Sequence, residues 1–309
     1  MNARLIGWIT GIALLLALPP LMQAMGQLYY IDLVRRIMIL AIAAVSLNLI
    51  LGYGGLVSFG HAAYLGIGGY AVGILAFYGI TSGWAHLAVA IGASALVALA
   101  IGAVCIRTSG IYFIMITLAF TQMLYYLAVS VAEYGGDDGL RLKIHSRFPL
   151  IDLADPVTSY YVVLVVMLLC VYLVYRIINS RFGMALRAAK SNEARARALG
   201  FSPYPYRLTA FVIAGAMCGL AGVLYANHTA YIAPGFMSWL QSGELMFMVI
   251  LGGMASTAGP VLGTFALLLV EEVLKGWTEH WQVILGPLLV LSVIFFRRGL
   301  AGIFYKPDA

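Results

Sequence analysis

The sequence predicts an all-α polytopic membrane protein with about ten transmembrane helices, one or two of them broken or re-entrant. The first observation is composition: 63% of the residues are hydrophobic and 10% are charged, whereas soluble domains carry about 25% charged residues. The second is the arrangement of the charges, because Asp, Glu, Lys and Arg are absent from residues 37–106, 108–132 and 245–270. Each of these runs exceeds the roughly 20 apolar residues that one transmembrane helix needs.

Hydropathy divides the chain into ten apolar segments, each a predicted helix. They are residues 5–24, 33–52, 56–80, 84–106, 110–132, 157–178, 207–227, 243–257, 259–275 and 281–297. The first segment lacks the small-x-small cleavage site of a signal peptide, so it is interpreted as a membrane helix. The segment at 243–257 is short for a full crossing and is interrupted by glycines and a proline, which predicts a broken or re-entrant helix.

The basic residues predict the orientation of the chain. Residues 176–207 hold seven Lys or Arg and one acid, which indicates a cytoplasmic segment. Residues 133–156 hold five acids and three bases and are predicted to be extracytoplasmic. The net charge of +6 follows from the cytoplasmic loops and is not a nucleic-acid footprint. Arg35 and Arg36 leave one choice open, since they are extracytoplasmic if every early segment crosses and cytoplasmic if segment 56–80 does not.

The longest charged, helix-prone stretch is residues 181–200, within the predicted cytoplasmic loop 180–206. Its alanines and leucines favour helix. Ser191 is the candidate N-cap of a short second helix, and Gly200 is its candidate stop. Three small residues near one helical face would let another backbone or protein surface approach closely: Ala185, Ala189 and Ala196. This combination predicts a docking element.

Two glycine-rich interruptions form a weak internal repeat, LILGYGGLVSFGHAAYLG from residue 49 and VILGGMASTAGPVLG from residue 249. Transporters often place substrate paths at paired interruptions, although two Gly/Ala-rich membrane segments can also resemble each other by chance. Ser58 and His61 lie in the first interruption and are candidates for the translocation path. In the alternative interpretation, His61 bonds a carbonyl that the break frees and never meets substrate.

Glycines at helical spacing predict close helix packing. Gly215, Gly219 and Gly222 follow this spacing in the seventh segment, and Gly259 and Gly263 follow it in the ninth. Such faces pack helices either within one subunit or at a subunit interface.

The ionisable and nucleophilic residues form no recognisable catalytic set. The sequence has no phosphate-binding GxxxxGK[ST] loop, no HExxH and no GxSxG. The chain therefore cannot hydrolyse ATP alone. Three cysteines fall in apolar runs without metal-ligand spacing, so neither metal nor cofactor is expected. Three acids near segment ends favour surface ion pairs, with a proton relay as the alternative: Glu244, Glu271 and Glu272.

Three stretches together closely resemble the M-type permease subunit of branched-chain amino acid ABC importers. They are LNLILGYGGLVSFGHAAYLGIGGYA at 47–71, RAAKSNEARARALGFSPYPYRLTAFVIAGAMCGLAGVLYA at 187–226 and ILGGMASTAGPVLG at 250–263. GGDDGL at 135–140 fits as well, and the resemblance runs from about residue 37 to residue 298. The first stretch is the main reason to favour the M-type over its H-type partner.

The resemblance implies one permease domain over residues 1–309, in the roughly ten-helix fold of the ribose and vitamin B12 importer permeases. It also implies a multi-pass protein of the bacterial inner membrane, surrounded by lipid. The implied partners are a related H-type permease, two cytoplasmic ABC ATPases and an extracytoplasmic substrate-binding protein. Nucleic acid is not among them.

Under this resemblance, residues 181–200 correspond to the coupling loop that docks on an ATPase. Glu193 and Ala194, followed by Gly200, resemble the Glu-Ala-Ala…Gly pattern of importer permeases. Arg195 replaces the second alanine, and Gly200 falls one residue later than usual. The implied ATPase-coupling residues are Glu193, Ala194, Arg197 and Gly200.

The transported substrate and the energy source have alternatives. Importers of urea and short-chain amides have similar permeases, so the motifs favour the family more than the substrate. An ion-coupled secondary carrier would be a different class, and it usually carries acids deep in the membrane. This sequence has almost none.

Overall fold

The computed structural model describes residues 3–142, 145–149, 151–295 and 299–304, and nearly all of its regular structure is helical. The helices are α1 Ala3–Ala24, α2 Leu28–Asn48, α3 His61–Phe77, α4 Gly83–Cys105, α5 Ile111–Ser130, α6 Pro156–Ile178, α7 Arg181–Ser191, α8 Glu193–Ala198, α9 Pro203–Thr229, α10 Trp239–Gly252, α11 Gly259–Trp277, α12 Trp281–Phe295 and α13 Ala301–Phe304. The strands are β1 Leu140–Arg141, β2 Arg147–Phe148, β3 Ile151–Asp152 and β4 Tyr231–Ile232.

Each of the ten predicted apolar segments overlaps one of these helices. Five spans within the described residues are long and apolar enough to cross a membrane: Leu28–Tyr53, Gly83–Cys105, Ile111–Ser130, Pro156–Ile178 and Pro203–Thr229. Shorter apolar helices lie between and beside them. The protein is therefore a multi-pass, mainly α-helical membrane protein.

Helix α2 forms the centre of the bundle. In its most apolar window 89% of the residues are buried inside the chain, against 17% for α5. A helix that is apolar all round must be enclosed by other helices or by lipid, and α2 is enclosed by α6, α9, α10 and α11. α5 instead leaves large apolar side chains such as Tyr112 and Tyr126 exposed. The periphery is therefore suited to lipid or to a membrane partner.

The bundle has two ends that contacts define. At the first, which we call the α7 end, Lys190 of α7 reaches the carbonyl of Gly52 just beyond α2, and Arg207 in the first turns of α9 reaches the carbonyl of Ala189. At the second, the β1 end, Tyr78 just beyond α3 hydrogen-bonds Tyr134 at 3.0 Å. Segment 56–80 therefore reaches the β1 end.

Arg35 and Arg36 lie toward the β1 end, opposite α7. The Arg35 Nε donates to Nδ1 of His228, in the last turn of α9, over 2.9 Å. Because α9 starts at the α7 end, its last turn lies at the other end of the bundle. Of the two choices that the sequence left open, this geometry matches the one in which segment 56–80 extends along the bundle.

The loop before α6 contains β structure that an all-α prediction did not include. β1 pairs antiparallel with β4, and β2 pairs antiparallel with β3. His86 of α4 bonds the hydroxyl of Ser146 at 2.7 Å, and the Ser146 amide donates to the side chain of Asn227 at 2.8 Å. The loop is thus fastened to both α4 and α9.

Two predicted segments differ from the helices at their ends. Helix α3 begins only at His61, because residues 54–60 include Gly55 with φ +69° and do not continue the helix. Helix α10 begins at Trp239 rather than at 243, after Ser238 accepts from the amide of Gln241, and it ends at Gly252.

Candidate functional site

The candidate site is the pair of short helices α7 and α8, together with the two helix interruptions that lie near them, between α2 and α3 and between α10 and α11. The hydroxyl of Ser180 accepts from the amide of Gly183 at the start of α7. One face of α7 is buried, whereas Arg181, Met184 and Arg187 are exposed. The amphipathic pattern therefore seats α7 on the bundle and leaves its basic residues accessible.

The small-residue face packs within this chain, which is one of the two close approaches that it predicted, a backbone or a protein surface. Ala185, Ala189 and Ala196 are 6%, 2% and 2% exposed, so they are covered by this chain's own helices. Their small side chains let α7 and α8 lie close to the bundle, and a second protein can reach only the opposite, arginine-bearing surface.

The predicted N-cap of α8 was wrong by one residue. Ser191 is the last residue of α7, and its hydroxyl donates to the Ala188 carbonyl at 3.2 Å. Asn192, with φ −160°, leaves the helical region and accepts from the Arg195 amide at 2.9 Å. Gly200 follows α8 with φ +85°, a conformation that suits glycine at the end of a helix.

Glu193 lies in the first turn of α8 and fastens it to α9. Its carboxylate accepts from Arg197 at 2.6 Å and from Arg207 at 2.8 Å. Arg207 also donates to the carbonyl of Ala189 at 3.1 Å. Partial burial raises the pKa of Glu193, but the charge and hydrogen bond of Arg207 and the contact with Arg197 outweigh it, so the net pKa is lowered.

The other residues that the resemblance assigns to coupling form the exposed surface of α8. Ala194 and Arg195 are exposed, and the Arg197 side chain keeps 68% of its accessible area despite its ion pair. Leu199 is exposed as well, at 69%. We call the exposed residues Arg181, Met184, Arg187, Ala194, Arg195, Arg197 and Leu199 the docking face.

Lys190 joins α7 to the first interruption. α2 continues as a π-helical turn over Leu49–Tyr53, and the chain then leaves the helix. The Lys190 ammonium donates to the carbonyl of Gly52 at 2.5 Å. A cation at a helix C-terminus satisfies free carbonyls and complements the helix dipole. Partial burial lowers the pKa of Lys190.

The second interruption lies directly against the first. It separates α10 from α11 and includes Gly253 at φ 112° and Ala255 at φ 59°. Asn48, at the end of α2, donates to the carbonyl of Ser256 at 2.9 Å and accepts from the amide of Ala255 at 3.1 Å. The two halves of the weak sequence repeat are therefore in contact.

Ser58 and His61 are buried within the chain, at 1% and 0% exposure. The Ser58 hydroxyl accepts from the amide of Gly60 at 3.2 Å. Ser46 donates its one hydroxyl proton to the Ala43 carbonyl, so it accepts from His61 Nε2 at 2.8 Å. The partner of His61 is thus a hydroxyl of α2 rather than a carbonyl freed by the break.

The predicted packing glycines lie at contacts between helices of this chain. An added Cβ at Gly215 would come within 2.6 Å of Ala98 in α4, and one at Gly219 within 2.6 Å of Ser94. One at Gly222 would come within 3.0 Å of Gly69 in α3.

Helices α10 and α11 approach in the same way. An added Cβ at Gly259 would meet the carbonyl of Gly253, and one at Gly263 would lie 2.5 Å from the amide of Gly252. The glycines therefore pack helices within one subunit, which is one of the two uses that their sequence spacing predicted.

The three acids near the segment ends have partners. Glu271 pairs with Lys275 at 2.5 Å, and Glu272 accepts from Tyr29. Glu244 accepts from Gln241 at 2.8 Å. The Glu271–Lys275 pair follows the four-residue spacing that the sequence favoured, although Glu271 is buried. Glu244 and Glu272 bond neutral side chains, so for them the predicted surface ion pairs were wrong.

Sequence reasoning missed three residues that hold the site together: Asn48, Lys190 and Arg207. Asn48 carried a detectable signal, since it is a polar residue in a charge-free apolar helix just before a break. Lys190 and Arg207 could be counted as basic, but their carbonyl partners could not be identified from local sequence.

The chain is similar to known transport permeases. The family described as "Branched-chain amino acid transport system / permease component" matches residues 29–293. The LivM permease of Salmonella typhimurium is 28% identical over 305 residues, covering 91% of this chain and 71% of that protein. A probable LivM of Methanocaldococcus jannaschii is 26% identical, covering 90% and 93%. The LivH permease of Escherichia coli is 25% identical, covering 85% and 91%.

No solved structure gave a significant match. The family match nevertheless covers the central helix, both interruptions and the helices that carry the docking face. The chain therefore belongs to the branched-chain amino acid transport system permease family.

Proposed function

We propose that this chain is the M-type permease subunit of an ATP-driven importer of branched-chain amino acids. Two of its relatives are named as LivM branched-chain amino acid permeases. A related permease, named LivH, also matches most of the chain. The proposed assembly pairs this subunit with an H-type permease, two cytoplasmic ABC ATPases and an extracytoplasmic substrate-binding protein.

The proposed location is the bacterial inner membrane, with the α7 end in the cytoplasm. The basic residues of 176–207 favour this orientation, because cytoplasmic loops are enriched in Lys and Arg. It puts the coupling loop 180–206 inside and the loop 133–156 outside. α1 to α6 and α9 to α12 then form one domain of about ten membrane helices, with α10 as a short, incomplete crossing.

The observation that carries the proposal is the way α7 and α8 are held. Their arginines face outward, while Glu193 ties α8 to α9 and Lys190 ties α7 to the end of α2. This arrangement is suited to receive a force and pass it into the bundle.

The mechanism follows from these connections. ATP binding closes the two ATPases, and the docking face moves with the ATPase that holds it. Because Arg207 joins α8 to α9, and Lys190 joins α7 to the first break, both membrane elements follow as rigid bodies. Ser58 and His61 remain our proposed path residues, and they reach substrate only after the helices that cover them separate.

The test is reconstitution in proteoliposomes with the H-type permease, both ATPases and the binding protein. Leucine uptake should require ATP and every subunit. Uptake by the two permeases alone, driven by an ion gradient, would instead indicate a secondary carrier. ATP-dependent uptake of urea or a short-chain amide, without leucine uptake, would keep the importer and change its substrate.

The docking face has its own test. The variant Arg195→Glu should reduce co-purification of the ATPases by about tenfold, because it reverses the charge of an exposed side chain on the surface that the proposal sets against the ATPase. Arg141→Glu is the matched control, since Arg141 is exposed at the β1 end. Equal ATPase yields for the two variants would contradict the assignment of α8 as the coupling element.

A further inference from the structure

The feature of interest is the amide side chain of Asn48, which joins the two helix interruptions. It is 1% exposed at the end of α2. Its nitrogen donates to the carbonyl of Ser256 and its oxygen accepts from the amide of Ala255, at 2.9 and 3.1 Å. Both of its hydrogen-bonding groups are thus directed to the second interruption, 207 and 208 residues away in sequence.

The two interruptions approach each other closely at Gly52. A Cβ added to Gly52 would come within 2.6 Å of the Ala255 nitrogen and 3.0 Å of Asn48 Cγ. Glycine at this position lets the first interruption touch the second directly. The two interruptions are therefore packed backbone to backbone, with Asn48 as their polar bridge.

Ala255 has a conformation that needs support. Its φ of 59° lies in the left-handed region, which residues with a Cβ adopt at an energetic cost. Residues in such conformations persist where surrounding contacts over-determine them. The hydrogen bond from the Ala255 amide to Asn48 is one of these contacts.

Gly52 also contacts α7. The carbonyl of Gly52 accepts from Lys190 of α7, while its Cα faces Asn48 and Ala255. A displacement of α7 therefore acts on a residue that is already in contact with the second interruption.

We propose that Asn48 is a positioning residue that makes the α10–α11 interruption follow the α2–α3 interruption when the docking helices move. This inference rests on the proposed function, because it needs an ATPase that moves α7. It adds a consequence for the second interruption, because α10 and α11 then take part in transport although α10 begins 33 residues after the coupling loop 180–206.

The test compares variants of the full importer in proteoliposomes by leucine transported per ATP hydrolysed. Asn48→Ala should lower this ratio by about tenfold, the effect expected for two lost hydrogen bonds. Co-purification of the ATPases should not change, because Asn48 is buried away from the docking face.

The substitution Ala255→Gly distinguishes a role of Asn48 in transmitting movement from a role in stabilising the fold alone. Glycine adopts a positive φ without a Cβ penalty, so Asn48→Ala/Ala255→Gly should recover thermal stability. If Asn48 transmits movement, the double variant still transports poorly per ATP. Recovery of the ratio by the double variant, or a ratio within twofold of the parent in Asn48→Ala, would overturn the inference. Failure of the parent complex to use ATP would instead refute the proposed function.

Discussion

At the scale of single residues, the docking helices depend on a few side chains that reach across the chain. Lys190 is the clearest case, because one hydrogen bond connects α7 to the end of the central helix. Its alkyl stem also covers Gly55, where an added Cβ would lie 2.9 Å from Lys190 Cγ. The residue thus combines a polar contact with close packing.

Replacing Lys190 with Met should uncouple transport from ATP hydrolysis. Met keeps much of the stem but leaves the Gly52 carbonyl without its donor, so we expect transport per ATP to fall about fivefold. Lys190→Arg retains a cation and should lose less. Equal ratios for parent and Lys190→Met, measured in the same proteoliposomes, would show that this contact carries no movement.

Exchanging the charges of Glu193 and Arg207 with each other should be less harmful than reversing the charge of Glu193 alone. Glu193→Arg puts like charges together and should release α8 from α9, lowering ATPase co-purification about tenfold. The double variant Glu193→Arg/Arg207→Glu restores an opposite-charge pair and should recover most of the yield. If the double variant is no better than the single one, Glu193 contacts the ATPase directly instead of positioning α8.

The same pair predicts a pH response. Because the net pKa of Glu193 is below its ordinary value of 4.5, its contribution is complete above that value and disappears as pH falls through the lower folded pKa. ATPase co-purification should therefore be constant between about pH 8 and pH 5. A decline centred within this range would point to another titrating group.

At the scale of elements, glycine contacts determine how closely the helices approach. Gly263 of α11 faces the carbonyl of Met248 and the amide of Gly252, whereas Gly276 of the same helix has nothing within 4 Å of an added Cβ. These two residues provide a matched pair on one helix.

Gly263→Ala should destabilise the protein, and Gly276→Ala should not. Overpacking costs about 1–3 kcal/mol, while alanine in an open helical position is favourable by roughly 1 kcal/mol. Thermal unfolding in detergent would measure both. Similar melting temperatures for the two variants would mean that α10 and α11 can separate without cost.

The helices themselves were predictable because hydropathy is a local signal. About four to seven consecutive turns of apolar sequence need no distant partner to be recognised, and each predicted apolar segment overlaps a helix. The N-cap of α8 was missed because Ser191 and Asn192 are both good caps, and the choice depends on which of them leaves the helix. The alanine face predicted a close approach but not its partner, since small residues suit a helix of the same chain and a second protein equally well.

The connections within the site could not be predicted in this way. Lys190 and Gly52 are 138 residues apart, and Asn48 and Ala255 are 207 apart. Local sequence marked both interruptions as glycine-rich, but their contact is a property of the folded bundle. The short strands β1 and β4 were missed for the same reason, because each is two residues long and pairs only across the fold.

At the scale of the whole molecule, the two ends should face opposite sides of the membrane. Ser191 is exposed at the α7 end and Asp137 is exposed in the loop at the β1 end. The three native cysteines are buried, so they should give little background in thiol labelling: Cys105, Cys170 and Cys218.

A membrane-impermeant maleimide should label Asp137→Cys in intact spheroplasts and Ser191→Cys only after the membrane is opened. The orientation follows from the positive charge of the α7 end. Labelling of both positions from one side would mean that the bundle does not span the membrane as proposed. Labelling of Ser191→Cys alone in intact spheroplasts would mean that the chain is inverted.

The length of α9 has one more consequence. With 27 residues it measures about 40 Å, and it is attached at one extremity to Glu193 and at the other to Arg35 and Ser146. Between them, close glycine contacts with α3 and α4 hold its middle. A rigid helix held at its middle can only pivot there. Movement of one end toward the bundle axis then requires movement of the other end away from that axis. We therefore expect the two mouths of the permease to open in turn and never together.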